Sequence, residues 1–236
     1  MSTSVLQRSS FRDATRILSS VLAPLERRTL AFLAARMPRR VNSDHLTELA
    51  LLAMLGAGLS FWWASISPVG LMLVPVCLAV NWFGDSLDGT IARYRGHQRP
   101  RYGYYVDHVV DAFGALFLLG GLGLSGYMSP LVAMGLLVAY FVLSIEVYLA
   151  AHVLGEFKIT YFQMGPTELR IVLAAGTLWL LVEPTVEILG QTYRLFDVGG
   201  VVAIAGLAVT LLVTTAAHVR TLYLAEPIPG RNGARS

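Results

Sequence analysis

Four aspartates stand close together in a chain that otherwise avoids charge. Asp85 and Asp88 are three positions apart, Asp107 and Asp111 four. On a helix those spacings place each pair on one face. A connection of about ten residues would fold the two faces together at similar depth. Four carboxylates at close quarters stay ionised only if cations compensate them. Oxygen-only donors suit hard divalent ions: Mg²⁺, Mn²⁺ or Ca²⁺. Two such ions would neutralise four aspartates. A two-metal carboxylate site beside lipid points to phosphoryl chemistry, in which metals clamp phosphate oxygens. The competing reading is four helix-end charges paired with nearby arginines, and it leaves the regular spacing unexplained.

The residues around the aspartates sharpen this. Gly89 and Ala92 remove bulk next to Asp88, so a ligand can approach the backbone. Arg93 lies about one turn beyond Asp88 and suits bidentate phosphate binding. Gly103 clears space one turn before Asp107. Read together, residues 85–111 run DSLDGTIARYRGHQRPRYGYYVDHVVD and fit D-x2-D-G-x2-A-R-x(8–9)-G-x3-D-x3-D. Fixed residues at these spacings arise by chance on the order of once in 10⁹ starts.

This pattern resembles the signature of the CDP-alcohol phosphotransferase (CDP-alcohol phosphatidyltransferase) family. The resemblance implies a phospholipid-synthesising enzyme. A phosphoalcohol, foremost a phosphatidyl group, moves from a CDP-linked lipid donor such as CDP-diacylglycerol to a small alcohol acceptor, releasing CMP. It also implies that Asp85, Asp88, Asp107 and Asp111 hold Mg²⁺ or Mn²⁺, as two ions. Asp111 would be the general base. Asp88, Gly89, Ala92, Arg93 and Gly103 would form the CDP site. Members using phosphorylated acceptors tend to carry Arg or Lys directly after the last aspartate, where this chain has Ala112. The run Asp107-His108-Val109-Val110-Asp111 is closer to the D-H-x-x-D of choline and ethanolamine phosphotransferases. An amino-alcohol phosphotransferase acting on diacylglycerol is therefore the alternative, with His108 on the acceptor side or simply packing on its helix. Glu168 and Arg170 open the fifth apolar stretch. Facing the site, Glu168 would meet a cationic group and Arg170 an anionic one; as helix-end charges they would snorkel. Glu146 lies nearer mid-membrane and must be protonated, paired or site-facing.

The elements that must position these residues are membrane helices. Of 236 residues, 55% are hydrophobic and 14% charged, and the mean hydropathy is +0.61. A soluble domain carries about 25% charged residues, so a soluble enzyme and intrinsic disorder are both excluded. The lone Cys77 allows neither an intramolecular disulfide nor a cysteine metal site. Spans of about 20 apolar residues fall at roughly 46–66, 69–93, 104–126, 129–153, 168–183 and 197–220. The expected fold is an all-α integral membrane protein of six transmembrane helices behind an N-terminal amphipathic interfacial helix. The segment 1–44 would be cytoplasmic, 45–223 the catalytic domain and 224–236 a cytoplasmic tail. No secretory signal peptide is apparent.

The interfacial helix is read from residues 22–37, with Leu22, Leu25, Thr29, Phe32, Leu33 and Met37 as its apolar stripe. Of the 18 Lys and Arg, all but Arg194 fall on one side of a six-span layout. Both termini and the aspartates then face the cytoplasm, at the plasma membrane, read as a bacterial inner membrane. The net charge of +3 has anionic lipid headgroups as its partner and needs no nucleic acid. The Gly-rich run 114–126 suits close helix packing, either inside the molecule or in a homodimer. A divalent-cation transporter would also place acids in spans. It does not account for Gly89, Ala92, Arg93 and Gly103 at their offsets, and it predicts acids on both sides of the midplane.

Overall fold

The computed structural model describes residues 15–17, 22–154, 156–158 and 165–226. The basic N-terminal stretch outside that range and most of the expected tail 224–236 lie outside the described residues. The chain runs β1 (Thr15–Ile17), α1 (Ala23–Arg36), α2 (Ser43–Ala64), α3 (Val69–Tyr94), α4 (Pro100–Leu124), α5 (Pro130–Leu154), β2 (Glu156–Lys158), α6 (Pro166–Trp179), β3 (Thr185–Ile188), β4 (Gln191–Arg194) and α7 (Leu195–Ala225). β1 pairs in parallel with β2, and β3 and β4 form an antiparallel hairpin.

Local chemistry sets the helix ends. Proline opens α4, α5 and α6, where a missing N–H costs nothing. At the start of α2, Asn42 Oδ1 accepts from His45 N at 3.0 Å, and His45 Nδ1 accepts from Asn42 N at 3.3 Å. These reciprocal bonds satisfy two otherwise orphan donors. The end of α3 is a Schellman motif: Gly96, at φ +67, donates to Arg93 O, and His97 donates to Ala92 O. Glycine takes that left-handed position without a Cβ penalty. The turn halts α3 just past Arg93 and returns the chain into α4.

Five helices, α2 to α5 and α7, are long and apolar enough to cross a bilayer, so the protein is an integral membrane protein. α6 differs from the expected fifth span, 168–183. Its 14 residues extend roughly 21 Å at about 1.5 Å per residue, against a hydrocarbon core of about 30 Å. It still reaches along the bundle. Its first turn bonds Glu26 of α1 and, through Arg170, Asp85 near the end of α3. Just beyond its last turn, Leu180 is buried with Phe61, Leu71 and Val74, at the end of α2 and the start of α3. α7 starts at that far end, where Phe196 meets Phe61 edge-on at 6.4 Å and Asp197 accepts from Ser129 N at 2.6 Å.

α2 is the central helix, packed on both α3 and α4. At Gly121 of α4 an added Cβ would lie 2.0 Å from Gly58 O of α2. Backbone touches backbone there, so part of the Gly-rich run is used inside the molecule.

α1 is a helix that packs on α3, and the expected stripe is divided: Leu33 and Met37 lie against the contact with α3. Its buried residues are Ala23, Leu30 and Ala34, and Leu30 and Ala34 pack with Leu46, Leu87 and Ile91. Leu25 and Phe32 are 65% and 54% exposed. An apolar stripe on a helix beside a membrane serves two solvents. Leu30 and Ala34 take the protein contact, with Leu25 and Phe32 left outside.

Candidate active site

The site is built where α3 ends and α4 begins. Asp88 is its most buried member, at 5% exposure. Thr47 Oγ1 of α2 donates to Asp88 Oδ2 at 2.6 Å, and the Gly89 N–H donates to Asp88 Oδ1. Ser43 Oγ bonds the Asp88 carbonyl at 3.1 Å. Gly84 makes this approach feasible: a Cβ there would meet Leu46 O at 2.5 Å, so only glycine lets α3 lie this close to α2.

Asp85 and Asp107 both act electrostatically on Asp88, so the hairpin brings three of the four aspartates into one field. Asp111 is exposed on α4, and it shares with Asp85 an electrostatic influence on Tyr140 of α5. Tyr148, two turns further along α5, also lies in range of Asp111. Asp85 pairs with Arg170, whose Nη2 is 2.6 Å from Asp85 Oδ2.

The neighbours of the motif behave differently from one another. Arg93 curls back over its own helix: a Cβ at Gly89 would sit 3.3 Å from Arg93 Nη1, and Arg93 Nη2 donates to Thr90 Oγ1 at 3.2 Å. Gly89 is thus room for a guanidinium. A Cβ at Gly103 would have nothing within 4 Å. Ala92 lines a cleft of about 430 Å³ with Asn42, Ser43, Asp44, Arg95 and Arg99 among its walls. Arg95 is committed to the carbonyls of Met37, Pro38 and Val41. Arg99 pairs with Asp44, whose hydrogen bond, ahead of its charge, raises the guanidinium above its ordinary value.

His108 is fixed on α4. Its Nδ1 bonds Tyr104 O at 2.5 Å, and its ring contacts Tyr104 at 4.1 Å and Tyr148 at 4.4 Å. Glu168 caps its own helix, Oε2 accepting from Gly165 N at 3.0 Å, while Oε1 accepts from Leu22 N at 3.1 Å. Glu146 Oε1 lies 2.6 Å from His218 Nδ1 of α7, within hydrogen-bond distance, so it has a partner on a neighbouring helix.

Several partners carry no motif. Thr47, Ser43 and Glu26 are distant in sequence and read as ordinary helix residues. Asn81 did carry a signal: with Asp85 and Asp88 it continues one helical face at i, i+4, i+7, in a span where amides are rare. Tyr140 and Tyr148 also share a face, two turns apart.

The four aspartates would offer an all-carboxylate donor set from two helices, which fits the chemistry of a hard divalent cation. Among the described residues no group of three or more His, Cys, Asp or Glu side chains is placed to hold a metal ion. Asp85 leans instead on the Arg170 cation, and Asp88 on Thr47 and Gly89.

Fold and site thus define a helical membrane protein with a carboxylate hairpin at one end of its bundle. The model of the CDP-alcohol phosphatidyltransferase family matches residues 43–217, and the chain belongs to that family. Its members are phosphotransferases of phospholipid synthesis that act on CDP-alcohols and use divalent metal ions. No curated protein gives a significant match to the chain. Family membership makes the chain a transferase and removes the transporter reading.

Proposed function

We propose that this enzyme transfers a phosphatidyl group from CDP-diacylglycerol or a similar CDP-linked lipid to the hydroxyl of a small alcohol, releasing CMP. The observation that carries this reading is the α3–α4 hairpin, in which Asp85 and Asp107 bear on buried Asp88. Asp85, Asp88, Asp107 and Asp111 would hold Mg²⁺ or Mn²⁺, which when bound neutralise phosphate charge and the departing CMP. Thr47 and the Gly89 N–H hold Asp88 in place. Asp111, the exposed member, takes the proton from the acceptor hydroxyl. The hydroxyl oxygen forms its bond to the lipid-side phosphorus as the pyrophosphate bridge breaks toward CMP. Arg93, over Gly89, binds donor phosphate, and the cleft beside Ala92 together with the space at Gly103 supports room for the nucleotide.

A second reading is an amino-alcohol phosphotransferase. The aromatic group of Tyr104, His108 and Tyr148 near Asp111 supports it, since ring faces and a carboxylate favour a cationic headgroup. For either donor we place the site at the cytoplasmic face, with six crossings and both termini inside. The reach of α6 from Asp85 to Leu180 and the basic loops support that topology.

The test is CMP release by the purified protein against CDP-diacylglycerol, CDP-choline and CDP-ethanolamine, each with a panel of alcohols. Release dependent on CDP-diacylglycerol and on one small alcohol is the expected result. Release only from CDP-choline or CDP-ethanolamine with diacylglycerol moves the assignment to the second reading. Full release in metal-free buffer overturns the metal-assisted mechanism.

A further inference from the structure

We infer that Arg170 is a positioning residue for Asp85: it orients this carboxylate for the metal. The inference rests on the metal reading of the hairpin given above.

Arg170 is held at two points. Its Nε donates to Asn81 Oδ1 at 2.8 Å and its Nη2 to Asp85 Oδ2 at 2.6 Å. Asn81 is fixed in turn, because its Nδ2 donates to Ala50 O of α2 at 3.1 Å. The guanidinium fork therefore has a rigid back wall and a single carboxylate oxygen in front. Asp85 Oδ1 has no hydrogen bond among the described residues. One oxygen held and one left over is how a metal-ligating carboxylate is steered by its outer partner. Lysine cannot make both contacts, having a point charge in place of a planar fork.

The first turn of α6 is itself clamped to α1 from both sides. Thr167 Oγ1 donates to Glu26 Oε1 at 2.8 Å, and Glu168 Oε1 accepts from Leu22 N at 3.1 Å. Glu26 Oε1 also accepts from Ser86 Oγ, next to Asp85, at 3.2 Å. α1 thus sets the height of the α6 turn that carries Arg170. This gives α1 a role in the site although it contributes no residue to the motif.

The experiment is Mn²⁺ titration of the full chain in lipid nanodiscs, with unbound Mn²⁺ read by electron paramagnetic resonance. Wild type, Asp85→Asn, Arg170→Lys and Asn81→Ala are compared, with turnover measured across Mn²⁺ concentrations. Arg170→Lys is expected to weaken Mn²⁺ binding about 10–100-fold, and excess Mn²⁺ is expected to restore turnover. A merely structural role would not be rescued by metal. Asn81→Ala keeps the ion pair and loses its back wall, and it shifts Mn²⁺ binding in the same direction. It also serves as the deciding variant should Arg170→Lys fail to fold. Wild-type Mn²⁺ affinity in Arg170→Lys, or tighter binding, overturns the inference, since the guanidinium would then only compete with the ion. Wild-type protein that binds no Mn²⁺, or Asp85→Asn that binds it normally, overturns the metal reading itself and this inference with it.

Discussion

Two side-chain pairs that join helices among the described residues are built differently. Arg170–Asp85 joins α6 to α3, with side chains 18% and 33% exposed. Its arginine has a second bond, and that partner is bonded again to α2. His218–Glu146 joins α7 to α5, with side chains 29% and 13% exposed. There Glu146 Oε2 is buried without a hydrogen-bond partner among the described residues. The first pair is part of a chain of bonds that runs through Asn81 to α2, next to the aspartate hairpin. The second is a single link to a peripheral helix: the apolar part of α7 is only 11% buried. A polar network in a membrane protein concentrates where geometry matters, whereas an isolated pair only holds two helices together. Satisfied networks rigidify, and half-satisfied ones remain costly.

The comparison breaks most sharply on the hairpin side. Asp85→Asn, Asp88→Asn or Asp107→Asn should reduce CMP release to background in protein that still folds, and chelation of metal should do the same to wild type. Retained turnover in any of the three would separate that aspartate from the site. Asp111→Asn should follow, with turnover down about 10²–10⁴-fold while donor affinity is largely kept. Arg93→Ala should show the opposite emphasis, weaker donor binding before slower turnover. Equilibrium binding of a CDP-linked donor, set beside initial rates, distinguishes the two patterns.

On the other side, His218→Ala removes the partner of the Glu146 carboxyl group. Unfolding stability should fall by about 1–3 kcal/mol, read by denaturant unfolding in detergent, with kcat of the folded fraction unchanged. Replacing Glu146 and His218 together by leucine should recover most of that loss, because no unpartnered polar group is left buried. If the double variant instead loses turnover, the second pair belongs to the site and the contrast fails. The smallest effect is expected beside the helix crossing. A Cβ at Gly120 would have nothing within 4 Å, so Gly120→Ala should raise unfolding stability by about 0.5–1 kcal/mol, again by denaturant unfolding.

The helix faces of the candidate site were legible in the sequence. The spacing of Asp85, Asp88, Asp107 and Asp111 dictates helix faces, and the Schellman turn at Gly96 supplies the short return that the pattern demanded. Expected spans and helices agree within a few residues for α2 to α5. The partners of the aspartates were not legible. Thr47 lies 41 residues from Asp88 and Arg170 lies 85 from Asp85, and no local pattern encodes such a pairing.

The sequence by itself determined a membrane protein, because 55% hydrophobic and 14% charged residues leave too little polar surface for water. It also determined which carboxylates share a helix face, because helical periodicity is local. Only the tertiary structure decided which face of α1 is buried, how a 14-residue α6 is placed and what its arginine holds. Those depend on contacts between distant segments. In a bundle whose helices are nearly all apolar, hydropathy marks what enters the membrane but cannot rank one apolar face against another. Close packing and the few satisfied polar bonds make that choice.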